Sequence, residues 1–96
     1  MPFALQYSKE AVADIRALRA YDRASILHAV GRVLVSNPVL EGRSRIKRLE
    51  EPTPVQYRLR VGAFRVYYDV DSKGPVVLIR RVLEKKATGP YLEGAT

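Results

Sequence analysis

The chain has no cysteine, one histidine, and only 10 acidic residues against 17 lysines and arginines in 96 positions. Without cysteine there can be no disulfide and no thiolate metal centre. The single histidine, His28, lies among Leu27, Ala29 and Val30 in a helical stretch. It excludes a histidine-rich metal site and any nuclease mechanism that needs a histidine pair. Acidic residues are also poorly placed for metal chemistry, because Asp14, Asp22, Asp69 and Asp71 fall on separate elements or in a turn. Asp69 and Asp71 share strand parity, but a pair without a third ligand is a weak cation site. No glycine-rich phosphate loop follows a strand, and no apolar run approaches the roughly 20 residues of a membrane span. The N-terminal MPFALQYSKE lacks a basic stretch followed by an apolar one, which speaks against a signal peptide. The expected setting is the cytoplasm, with no membrane partner.

What the chain does have is size for one domain over residues 1–96, about half apolar residues, and a net charge of +7. That balance favours nucleic acid or an acidic protein as partner; a basic surface without a ligand is the plainer alternative. Phe3 to Tyr7 reads as a short strand. Ser8 is a helix N-cap, with Glu10 in the first turn, and Ala11, Val12, Ile15 and Leu18 form an apolar stripe. Asp22 is expected to cap a second helix, whose buried face is Ile26, Leu27, Val30, Val33 and Leu34 and which Asn37-Pro38 stops. Gly31 within it suggests close packing. Glu41 to Pro54 reads as a loop with little regular structure. Three strands follow, over Val55 to Val61, Phe64 to Val70 and Val76 to Val82, with a turn at Asp71-Ser72-Lys73-Gly74. Leu83 to Thr96 is a basic tail punctuated by glycine and proline. The order β-α-α-β-β-β predicts an α+β fold, a helical hairpin on one face of a small twisted, mainly antiparallel sheet.

The other face is then left for arginines. In YRLRVGAFRVYY, Arg58 and Arg60 are two apart, so both leave the same face of an extended strand. Gly62-Ala63 permits a tight reversal, and Arg65 opens the next strand. Three guanidiniums on one hairpin repel each other, and a polyanion between them would relieve that, since guanidinium forks match phosphate geometry. Arg65, between Phe64 and Val66, needs either a carboxylate or a phosphate partner. Around this hairpin the sequence adds Arg80, Arg81, Lys85 and Lys86, with Tyr91 in the tail, while Arg43, Arg45, Lys47 and Arg48 line a loop and add non-specific phosphate attraction. Each has a plainer reading, as a solvated charge on an exposed face or, for Tyr91, as an anchor of the tail.

RNA can be cut without a metal. The 2′-hydroxyl attacks the adjacent phosphorus in line and the 5′-oxygen leaves. Cations stabilise the added charge, and a tyrosine or lysine whose pKa is lowered by neighbouring cations can accept the proton. The cluster itself is expected to supply that lowering.

The residues that carry these features resemble the RelE/ParE toxin superfamily of bacterial toxin–antitoxin systems over nearly the whole chain. The element order, the YRLR-x-G hairpin and the strand Phe64-Arg65-Val66-Tyr67-Tyr68 all match. The resemblance to the RelE branch implies a toxin that cleaves mRNA in the ribosomal decoding site, with Tyr91 as general base, Lys85 as general acid or charge stabiliser, Arg65 holding the scissile phosphate, and Arg58 and Arg60 stabilising the transition state. Lys85 stands where the family usually has arginine; it keeps the charge but loses the planar fork, and Lys86 is the other candidate for the acid. Lys47, Arg48, Arg81 and Lys86 would add weaker RNA contacts. The resemblance implies no cofactor. It implies a small cognate antitoxin, the ribosome with its mRNA, and operator DNA reached through the antitoxin as partners. The ParE branch implies instead a DNA gyrase inhibitor without nuclease activity, and a basic protein-binding module is a third possibility.

Overall fold

The computed structural model describes residues 2–42 and 45–93. The chain runs β1 (Ala4–Tyr7), α1 (Lys9–Arg16), α2 (Ala20–Val33), β2 (Ile46–Arg48), β3 (Tyr57–Val61), β4 (Phe64–Asp71), β5 (Val76–Glu84), a 3-10 turn at Lys85–Ala87, and α3 (Thr88–Glu93). The five strands form one sheet in the order β1-β5-β4-β3-β2. β1 runs parallel to β5; the other neighbours are antiparallel. This is the expected α+β architecture, with one strand more than the sequence pattern gives.

The alternation of side chains sorts the sheet into two faces. Ile46, Leu59, Val66, Tyr68, Val77, Ile79 and Val82 join Ala11 and Ile15 of α1, and Ile26, Val30 and Leu34 near and within α2, in one buried cluster. The helical hairpin therefore covers one face. Tyr68 is fully buried there and donates its hydroxyl to the Pro38 carbonyl at 2.6 Å, which answers the polar atom that comes with the ring.

Two contacts tie α1 to β5 where β1 ends. Ser8 caps α1, accepting from the Ala11 N–H at 3.0 Å, and donates its hydroxyl to the Arg80 carbonyl at 2.7 Å. Beyond Ile79 no residue of β1 lies beside β5, and Asp14 of α1 takes over, accepting from the Val82 N–H at 2.9 Å. The C-terminus of α1 is closed by Arg23, whose guanidinium donates to the carbonyls of Ile15, Arg16 and Leu18.

Several expectations change. The stretch read as a loop between Glu41 and Pro54 contains β2, which pairs with β3 through Ile46–Leu59, Lys47–Arg58 and Arg48–Tyr57. Three residues give too little periodicity to announce a strand, and pairing makes it. Asp22 does not cap α2; Arg19 holds that place and Asp22 falls in the first turn, with the two joined at 3.4 Å. Val12 and Leu27 belong to the apolar stripes by spacing but are 36% and 40% exposed. Gly31 faces open space, so close packing is not its reason. As far as Glu93 the tail forms the end of β5, the 3-10 turn and α3, and residues 94–96 lie outside the described residues. Arg43 lies outside the described residues.

Candidate functional site

Strand register fixes which basic residues meet. In the β3–β4 hairpin Val61 pairs with Phe64, leaving Gly62 and Ala63 as a two-residue turn. Gly62 has φ +58°, the backbone region such a turn demands at its first central position and which other residues avoid. This turn sets Arg60 opposite Arg65 and Arg58 opposite Tyr67. The rows continue outward, from Tyr67 to Arg81, from Arg65 to Leu83, and from Arg58 to Lys47. Arg58, Arg60, Arg65, Tyr67 and Lys47 thus share the face opposite the helices. Arg48 leaves it: its guanidinium lies 5.0 Å from the Tyr57 ring centroid, in the row of Tyr57 and Tyr68. The expected RNA contact of Arg48 is therefore on the wrong face of the sheet for this cluster.

A β-bulge between Tyr67 and Tyr68 shifts the register against β5. Ile79 then pairs with Tyr68 and Arg81 with Tyr67, so Arg80 is the extra residue. Both arginines at the bulge find carboxylates. Arg80 Nη1 donates to Asp69 Oδ2 at 2.9 Å, and Arg81 grips Asp14 twice, Nε to Oδ2 at 2.7 Å and Nη2 to Oδ1 at 3.0 Å. Asp69 also accepts from the Gln56 N–H at 2.9 Å, so it serves structure rather than an Asp69–Asp71 metal site.

The hairpin arginines are different. Among the described residues no carboxylate lies within ion-pair distance of Arg58, Arg60 or Arg65. Arg65 is only 8% exposed, and its Nη1 donates to the carbonyls of Gly62 and Phe64, both at 2.9 Å. Neutral carbonyls satisfy the donors without cancelling the charge. Burial, together with the charge of Arg58, holds the Arg65 guanidinium below its ordinary pKa. Arg58 Nε is buried and has no hydrogen-bond partner among the described residues. An unmet buried donor of this kind costs about 1–3 kcal/mol, and an anion against it would recover that.

Tyr91 comes to this face on α3. Its ring centroid is 5.4 Å from that of Tyr67, and the Arg81 guanidinium lies 5.5 Å from it. The expected lowering of a phenol pKa does not occur. Burial raises Tyr91 above its ordinary value and outweighs the opposing pull of Arg80 and Arg81; Asp69 and Tyr67 push the same way as burial. The physical reason is that the ring is taken out of water, and a phenolate loses more by that than the two cations return. Tyr67 is also raised by burial, against the pull of Arg58 and Arg65.

Lys85 and Lys86 are exposed, in the 3-10 turn directly after β5. The Lys85 N–H donates to the Ala63 carbonyl at 2.8 Å, which seats its backbone beside the hairpin turn. Lys86 Nζ lies 3.6 Å from Glu84. Tyr67, which joins the arginines to Tyr91, was not singled out by sequence reasoning. Its signal was there in the two-residue spacing from Arg65.

The chain matches the ParE toxin family of type II toxin–antitoxin systems over residues 5–87. No curated protein matches. Among solved structures it resembles a chain of the RelBE2 toxin–antitoxin complex of Mycobacterium tuberculosis, with 22% identity, 88% of this chain and 100% of that chain covered, and a TM-score of 0.75. A chain of the archaeal RelE–RelB complex of Pyrococcus horikoshii OT3 has 24% identity, 91% and 99% coverage, and a TM-score of 0.73. A mutant of the E. coli toxin RelE in the free state has 25% identity, 95% and 92% coverage, and a TM-score of 0.71. The chain therefore belongs to the ParE toxin family, within the RelE/ParE superfamily of toxins from type II toxin–antitoxin systems.

Proposed function

We propose that this toxin cuts mRNA on the ribosome, without a metal, and so stops translation. The observation that carries the reading is the set Arg58, Arg60 and Arg65 on one sheet face, without a carboxylate among the described residues and with a buried Arg58 donor that meets no partner among them. A phosphodiester supplies what that set lacks, a negative charge with acceptors in fork geometry. Arg65 holds the scissile phosphate, and Arg58 and Arg60 stabilise the charge that builds on it. The 2′-oxygen bonds to phosphorus, the bond from phosphorus to the 5′-oxygen breaks, and the products are a 2′,3′-cyclic phosphate and a 5′-hydroxyl. Tyr91 accepts the 2′-proton, and Lys85 or Lys86 delivers one to the leaving oxygen. Lys47 and Lys86 add attraction for neighbouring phosphates, whereas Arg81, expected among them, is held by Asp14.

A phenol raised by burial is a poor base near neutral pH. This agrees with a toxin that cleaves free RNA badly and depends on the ribosome to align the 2′-oxygen with phosphorus. A cognate antitoxin is the natural partner for the +7 chain, since an acidic or amphipathic segment can cover the basic face. The solved relatives from Mycobacterium and Pyrococcus are complexes with such partners. Contact with operator DNA would then come through the antitoxin.

The match to ParE toxins favours a second reading, inhibition of DNA gyrase without RNA cleavage. Mapping of mRNA 5′ ends after brief expression separates the two. Cuts at a fixed place within codons, lost in Tyr91→Phe while the fold is kept, support the nuclease. Intact mRNA with gyrase-linked DNA breaks, unchanged in Tyr91→Phe, would overturn it.

A further inference from the structure

Asp14 stands on α1, far from Arg81 in sequence, yet all of its acceptor capacity that the structure uses is turned toward β5. Oδ2 accepts from Arg81 Nε at 2.7 Å and from the Val82 N–H at 2.9 Å, and Oδ1 accepts from Arg81 Nη2 at 3.0 Å. The Asp14 and Arg81 side chains are only 14% and 31% exposed. A two-point grip fixes the plane of a guanidinium as well as its place. The Tyr91 ring lies against that guanidinium at 5.5 Å and against Tyr67 at 5.4 Å. The helix that carries Tyr91 has six residues. So short a helix has little stability of its own, so the ring is placed by what it lies on.

We propose that Asp14 is a positioning residue for Tyr91: it locks Arg81 as the platform that sets the phenol over the basic face. A bare structural ion pair would not need the ring. Here the guanidinium is spent on Asp14 along its edge, which leaves its flat side for the aromatic ring. Tyr91 is faced by Arg80 and Arg81 from β5 and by Tyr67 and Asp69 from β4, and Arg81 is faced by Asp14 and Glu10 from α1. Of these groups, Arg81 is the one whose place depends on α1.

The part of this role that concerns cleavage rests on the nuclease reading; the placement of the ring does not. The test is therefore double. On ribosomes programmed with a defined mRNA, Asp14→Asn lowers cleavage about tenfold when Tyr91 is present and adds no loss to Tyr91→Phe. Asparagine keeps the acceptor for Val82, and Arg81→Gln gives the same pattern if the first variant folds poorly. Equal fractional losses in both backgrounds would mean a merely structural carboxylate and would overturn the proposal. The place of the ring is read directly from NMR cross-relaxation between the Tyr91 and Tyr67 ring protons. In Asp14→Asn this contact is lost while the Tyr57–Tyr68 ring contact of the core persists. A Tyr91–Tyr67 contact that persists unchanged would show that the ring keeps its place without Asp14, and the proposal falls. If the unaltered chain does not cut mRNA at all, the nuclease reading fails, and the ring contact still decides the placement.

Discussion

Two groups of arginines share one face of the sheet and live under opposite rules. Arg80 and Arg81, at the bulge, are matched by Asp69 and Asp14. Arg58, Arg60 and Arg65, on the hairpin a few residues away, have no carboxylate among the described residues, and Arg65 carries its charge at 8% exposure. A chain with 10 acidic residues has enough of them to serve both groups. Among the described residues the fold neutralises the cations it uses for its own construction and leaves without carboxylates the three that we propose to meet an outside anion. The contrast is a sharper guide than net charge, because +7 spread over a surface says nothing of where a phosphate would sit.

The two groups should respond oppositely to substitution. The largest effect is expected from Arg65→Met on ribosomes programmed with mRNA. Removing a donor aimed at developing charge costs about 100-fold or more in rate. Its melting temperature should hold or rise, because methionine keeps the packing while the repulsion with Arg58 and Arg60 goes. A large loss of stability with normal cleavage would reverse the assignment. The matched group should show the converse. Asp14→Ala leaves Arg81 and the Val82 N–H without their acceptor and is expected to cost about 2 kcal/mol of stability in denaturant unfolding, somewhat below the cost of breaking a fully buried pair. The double replacement Asp69→Asn with Arg80→Gln removes a pair whose arginine side chain is 40% exposed, so solvent screening limits the expected loss to about 0.5 kcal/mol.

The smallest effect concerns pH. Tyr7, Tyr67, Tyr68 and Tyr91 all have pKa values raised by burial above the ordinary 10.0. Well below pH 10 all are protonated in both states and their contribution is intact. Above it the unfolded chain releases phenolic protons that the folded chain retains, so stability falls as pH rises through the folded values. Thermal melts from pH 8 to 10.5 should show the midpoint dropping by a few degrees only above pH 9.5. A midpoint that rises over that range would show that cations on the sheet, and not burial, control these phenols.

Sequence periodicity was enough for the hairpin and not for what surrounds it. Arg58, Arg60 and Arg65 could be placed on one face because the period of a strand is two and because Gly62-Ala63 permits only a short turn. The same rule puts Tyr67 beside Arg65, and attention to the basic residues alone passed over it. The pairing of Asp14 with Arg81 spans the chain from α1 to β5. It depends on where β1 stops and α1 takes over the edge of β5, which no local pattern encodes. The bulge that turns Arg80 toward Asp69 is hidden for the same reason, since one unpaired residue changes the register without changing the apolar pattern. The acidity of Tyr91 is not legible because the sequence shows the cations near it and not the burial that outweighs them. The three-residue strand β2 and the six-residue α3 are held by contact with neighbours, and elements that short have almost no signal of their own.

The most direct test of the bare cluster is the salt dependence of binding to a short single-stranded RNA in which every 2′-hydroxyl is methylated, so that cleavage cannot intrude. Each phosphate contact on a single strand contributes about −0.7 to the slope of log K against log salt. Replacing Arg58, Arg60 or Arg65 by methionine should flatten the slope by about 0.7 each, while the charge-neutral Asp69→Asn/Arg80→Gln double variant leaves it unchanged. Equal slopes in the hairpin variants and the unaltered protein would contradict the assignment of the unpaired arginines to RNA phosphate.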